Sequence, residues 1–138
     1  MKNLTLDKLR DSLDELKVSS LKKDDALRVK LSSDYRFDDV VVAFSVDGDC
    51  VRADARSIFF IASVKEPEKA LGFAEEWNGE NASSRVSIDE NGDFQLNGTF
   101  DVNNETEKED VTLFLDGFVN DASCFFKKAR ETFQEIPF

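Results

Sequence analysis

The closing stretch of the chain constrains the fold most. Val111, Phe114, Leu115, Phe118, Ala122, Phe125, Phe126, Ala129 and Phe133 recur mostly at three- and four-residue steps, the spacing of one helix face over about six turns. Such a stripe must be buried, so the chain has to supply a surface to receive it. Gly117 interrupts the run at a cost of about 1 kcal/mol relative to Ala, which predicts close backbone approach to a sheet or a second helix. Leu113, Val119 and Cys124 fall off the main stripe. Two arrangements accommodate them: a helix buried on two sides within one subunit, or one whose second side meets a partner, with a symmetric dimer as the simplest form.

The rest of the chain supplies that surface as strands. Leu4, Leu6, Leu9, Leu13 and Leu16, with Thr5 as a cap, predict a first helix near residues 5–17. Ala26 to Leu31 alternates apolar and basic residues with the two-residue period of a half-buried strand. Val40–Val46, Asp47-Gly48 and Cys50–Ala55 make a hairpin, because the Asp-Gly pair suits a tight turn. Ile58–Ala62 reads as a further strand. Pro67 suits a first helical turn, and Ala70, Leu71, Phe73, Ala74 and Trp77 crowd one broad side of a helix near 67–78, where they are expected to pack together, and Asn78-Gly79 is expected to end it. Arg85–Ile88, a turn through Glu90-Asn91-Gly92, and Phe94 to Val102 form a second hairpin. Residues 103–110 read as a mobile polar surface connection.

The order is therefore α-β-β-β-β-α-β-β-α. Hairpins outnumber crossovers, which implies an α+β fold: an antiparallel sheet with helices packed mainly on one face. Its 138 residues make one domain, 1–138, with no internal repeat.

Chemistry is limited by what is missing. There is no His, which removes Ser-His and Cys-His nucleophile pairs and imidazole metal sites. Asp89-Glu90-Asn91-Gly92-Asp93 begins like a calcium loop, but the sixth position is Phe94 and the twelfth Phe100, where Gly and Glu are required. A plain hairpin turn is expected. The pairs Asp24-Asp25, Asp38-Asp39 and Glu75-Glu76 read as solvated surface. No catalytic, metal or cofactor-binding residue is assigned, and no cofactor.

Charge narrows the partners. With 18 basic and 29 acidic residues, the formal net charge is −11, which disfavours nucleic acid and anionic membranes. The imbalance is uneven: residues 1–36 hold nine basic and seven acidic groups. That third could meet an acidic partner surface, or simply be solvated. The start of the chain lacks a signal-peptide pattern and no long apolar run occurs, so a cytoplasmic setting with Cys50 and Cys124 as buried free thiols is expected.

Ala74-Glu75-Glu76-Trp77-Asn78, then Arg85 through Leu96, then a polar gap and the Phe-rich closing helix, resembles the YbjN family, whose members are described as putative bacterial sensory transduction regulators. The likeness covers about residues 35–130. It implies a fold similar to type III secretion chaperones and no enzymatic activity. The family often has an Asn three positions before the one matching Asn78, where this chain has Glu75.

The expected role is a non-enzymatic protein-interaction module, regulatory or chaperone-like, in a bacterial cytosol. It would bind another protein, with homodimerisation a further expectation, through an exposed sheet face, a free edge, or the second side of the last helix at Leu113, Val119 and Cys124. The alternative is a small-ligand-binding or hydrolytic domain using carboxylates, with Lys or Tyr35, in a pocket between sheet and helices. A nucleotide-binding role is weakest, for want of a basic or Gly-rich phosphate site.

Overall fold

A computed structural model describes residues 3–32, 39–57, 66–80 and 83–133. The elements are α1 (Leu6–Glu15), β1 (Leu21–Lys23), β2 (Ala26–Ser32), β3 (Asp39–Asp47), β4 (Cys50–Ser57), α2 (Pro67–Glu80), β5 (Arg85–Ile88), β6 (Phe94–Asp101) and α3 (Lys108–Thr132). The six strands form one antiparallel sheet in the order β1-β2-β3-β4-β6-β5. This is the expected α+β architecture.

Turn chemistry sets the hairpins. Gly48 (φ 62°) and Gly92 (φ 83°) take the left-handed backbone that the two glycine turns require. In the second, the Asp89 carboxylate accepts from the N–H groups of Asn91 (2.8 Å) and Asp93 (3.0 Å). It is a plain hairpin turn, as the sequence indicates. A third hairpin joins β1 to β2 through Asp24 and Asp25, both left-handed at φ 53° and 61°. In sequence that pair reads only as surface charge, and β1 goes unseen because three residues are too few to show a period. The strand expected at 58–62 lies outside the described residues, as do Tyr35 and Asp38.

Alternation along each strand decides which face is buried. Leu27 and Val29 of β2, Val40, Val42 and Phe44 of β3, Val51, Ala53 and Ala55 of β4, and Phe94 and Leu96 of β6 all point to one side and are buried. The helices lie there. Leu9 and Leu13 of α1 are fully buried, and α3 contributes Val111, Leu115, Phe118, Ala122, Phe125, Phe126 and Ala129. Phe125 packs against Phe73 (ring centroids 5.3 Å), Trp77 (5.1 Å), Phe94 (5.4 Å) and Phe126 (5.0 Å), mostly edge to face, the geometry aromatic quadrupoles favour. The space between sheet and helices is thereby filled with rings.

Several expectations are corrected. Gly117 faces open space: a methyl group added there would have nothing within 4 Å. The close-approach glycine is Gly98 of β6, where an added Cβ would stand 3.0 and 3.1 Å from ring carbons of Phe118. Leu71 is 54% exposed rather than packed. The helix expected to stop at Asn78 runs on to Glu80. The connection after β6 is a hydrogen-bonded turn: Asn103 N–H donates to the Thr106 hydroxyl (2.9 Å), and Glu105 N–H to the Asn103 side chain (2.8 Å). Helix α3 starts at Lys108, and the Asp110 carboxylate caps the Glu107 N–H at 2.9 Å. Both cysteines are free, but Cys50 is half-buried and Cys124 exposed, so neither is a buried thiol.

Candidate functional site

With all three helices engaged on one side, the opposite face of the sheet carries no described helix. Its floor follows from register. Val41, Ala43 and Ser45 of β3 point outward and are half-exposed. Arg28 and Lys30 of β2 stand directly across from Ala43 and Val41. On the other flank Arg52, Asp54 and Arg56 of β4 stand across from Ser45, Ala43 and Val41. Short side chains on one strand between long ones on its neighbours make a shallow channel along β3.

This face gathers a third of the basic residues of an acidic chain, interleaved with acids. Lys23, Arg28, Lys30, Arg52, Arg56 and Arg85 all lie on it and are exposed. Arg52 meets Asp47 at 3.0 Å, and Arg56 donates to the Gln95 side chain at 2.8 Å and lies 3.8 Å from Asp89. Among the positions just described, Asp54 is the acid within the channel wall. Burial pushes its carboxyl above the usual value, against the pull of the Arg56 and Arg28 guanidinium groups. Burial, reinforced by the Asp89 charge, likewise raises Asp93 at the β5–β6 turn.

Sheet edges and helix faces complete the surface. At the β5 edge, the Asn78 side chain mimics a strand: its amide donates to the Val86 carbonyl (3.0 Å) and its oxygen accepts from the Val86 N–H (2.7 Å). Asn78 thus closes the edge rather than stopping its helix, and it does so with Glu75 in place of the family's frequent Asn. Beside it Trp77 donates to the Ser84 hydroxyl (3.3 Å), which donates to Asp121 of α3 (2.9 Å). These contacts tie α2, β5 and α3 together.

Of the residues singled out on α3, Leu113 (69% exposed) and Cys124 share one outward stripe with Gly117 and Asn120. Val119 sits on the flank, half-buried against the core. Between α2 and α3 runs an open groove of about 470 Å³ lined by Phe73 and Trp77, with Lys69, Lys128, Glu76, Glu80 and Glu131 around it. Those three Glu residues are exposed at its rim. Among the described residues no group of His, Cys, Asp or Glu is arranged to hold a metal ion, and no helix is long and apolar enough to cross a membrane. The Cys50 thiol is pushed up by burial and then by Asp101, the opposite of an activated nucleophile.

An exposed sheet face is expected from the sequence, but its residues are not. The alternation Arg28-Val29-Lys30 is the visible signal; the opposing Arg52 and Arg56 emerge only once β3 lies between them.

A family model described as "YbjN: Putative bacterial sensory transduction regulator" matches residues 5–131. The chain belongs to the YbjN family. A crystal structure of YbjN from E. coli, titled a putative transcription regulator, superposes with a TM-score of 0.71 at 18% identity, covering 93% of each chain. The ExsC-ExsE complex gives a TM-score of 0.53 at 16% identity over 86% of this chain and 88% of that one. The Yersinia pestis type III secretion chaperone SycH, solved with a stable fragment of YscM2, gives 0.48 at 14% identity over 86% and 97%. No curated protein matches the sequence. At these identities the superpositions on YbjN and the ExsC-ExsE complex show a shared fold alone for this YbjN-family chain.

Proposed function

We propose that this YbjN-family protein is a non-enzymatic protein-interaction module with a regulatory or chaperone-like role in a bacterial cytosol. The observation that carries it is the sheet face that no described helix covers: a small-residue floor along β3 flanked by long side chains. The ring packing of Phe73, Trp77, Phe94 and Phe125 between sheet and helices supports this reading over a ligand pocket there. The similar fold in the ExsC-ExsE structure was solved as a complex of two proteins, which supports a protein partner here.

Homodimerisation is a second part of the proposal, with Leu113 and Cys124 as contacts and Val119 at their flank. An exposed Leu in line with Gly117, where nothing lies within 4 Å, lets a second helix approach closely.

Capture from bacterial cytosol, with the native chain and an Ala43→Tyr variant as baits, tests the binding role. The added phenol ring fills the floor without altering charge. Polypeptides held by the native chain and lost by the variant are expected; an identical set on both baits, or none on either, refutes it.

A further inference from the structure

We propose that the channel along β3 docks an extended, acid-rich polypeptide segment. The inference deepens the protein-binding role and rests on it, adding the chemistry of the partner. Charge points to it first. A chain of net charge −11 gathers six cations on the sheet face that no described helix covers. Acids stand among them too: Asp54 in the wall, Asp39 at the outward register position beyond Val41, Asp89 and Asp93 beside Arg56, and, at the β3–β4 hairpin end, Asp47, which is paired with Arg52, and Asp101. The cations still concentrate along the two walls, with Arg28 and Lys30 on β2 and Arg52 and Arg56 on β4.

Shape agrees with charge. The β2 and β4 walls are two strand spacings apart, about 9.5 Å. An extended backbone fits between them, whereas an α-helix with its side chains is about 10–12 Å across. Period agrees as well. Arg28 and Lys30 are two residues apart on one strand, about 6.7 Å, which is also the distance between carboxylates at alternate positions of an extended segment. Arg52 and Arg56 serve the other wall, and Val41 and Ala43 offer a floor for small apolar residues.

A nucleic-acid strand suits the channel less well. Of the outward positions described on this face none is aromatic, so bases have nothing to stack on. Asp54 would also oppose a continuous line of phosphates.

The test is titration of the full chain, followed by NMR and calorimetry, with two probes: a synthetic peptide of about twelve residues alternating Glu with Val or Thr, long enough to span the channel, and an oligothymidylate of equal length. The peptide should shift the resonances of Val41, Ala43 and Ser45. Arg28→Glu with Arg56→Glu should weaken it at least about tenfold, and Asp54→Asn should strengthen it by roughly threefold or more. Both variants change exposed or half-exposed positions, and thermal melts confirm that they fold. Three results overturn the proposal: no peptide binding, shifts confined to the α2–α3 groove, or tighter binding of the oligothymidylate. If the peptide fails while Ala43→Tyr still releases captured polypeptides, the acidic partner falls and the protein-binding role stands. If both fail, both fall.

Discussion

Two glycines should respond to the same substitution with opposite signs. At Gly98 an added methyl would meet Phe118 ring carbons at 3.0 and 3.1 Å and the Ser83 carbonyl at 3.4 Å. Phe118 is 3% exposed and held between Phe44 (5.9 Å) and Phe114 (6.3 Å), so the ring has little room to retreat. Overpacking of this kind costs about 1–3 kcal/mol. The lower entropy of the unfolded Ala chain returns about 0.5–1 kcal/mol. Gly98→Ala should therefore destabilise by about 1 kcal/mol, within a span of about 0–2.5 kcal/mol. Gly117 lies mid-helix, exposed and unobstructed, so Gly117→Ala should stabilise by about 1 kcal/mol. Urea unfolding of both variants at low protein concentration, where self-association does not contribute, gives the two values from midpoints at constant slope. A stabilised Gly98→Ala, or a destabilised Gly117→Ala, refutes the packing described for β6 and α3.

Three further outcomes are expected. Asn78→Ala removes two hydrogen bonds to Val86, so it should cost about 1–3 kcal/mol and speed exchange of the Val86 amide; an unchanged exchange rate contradicts the edge-closing role. Burial raises the Asp54 pKa above 3.8, so the folded state takes up this proton before the unfolded state does as pH falls. The charged form therefore costs stability at neutral pH, and that cost fades as pH falls through the folded value towards 3.8. Asp54→Asn should raise the melting temperature at pH 7 and lose that advantage in acid; a constant advantage at all pH values contradicts burial as the cause. Leu113→Glu should abolish any concentration-dependent mass in sizing with light scattering while leaving the melting temperature of the dilute chain unchanged, because Leu113 is 69% exposed; an unaltered dimer excludes this stripe as the contact.

Local signals carry most of the fold in the sequence. Asp47-Gly48 and Asn91-Gly92 mark their hairpins because a turn is decided by the residues within it, and the α3 stripe is visible because burial repeats with the helix period. What escapes depends on residues distant in sequence. Gly98 matters only because Phe118 comes to rest against it, and Gly117 reads as structural only while its neighbours are unknown. Asn78 reads as a stop signal until Val86 is brought beside it. The channel is legible in half: the alternation of β2 shows one basic wall, but no local pattern puts Arg52 and Arg56 on the other.

The central claim, that a polypeptide lies along β3, is tested most directly by placing a photo-crosslinking amino acid at Ser45 and, as a control, at Gly72 on the open side of α2, then irradiating living bacterial cells. Covalent adducts to another polypeptide from Ser45 and none from Gly72 are predicted. Adducts from Gly72 alone, or none from Ser45, would contradict it.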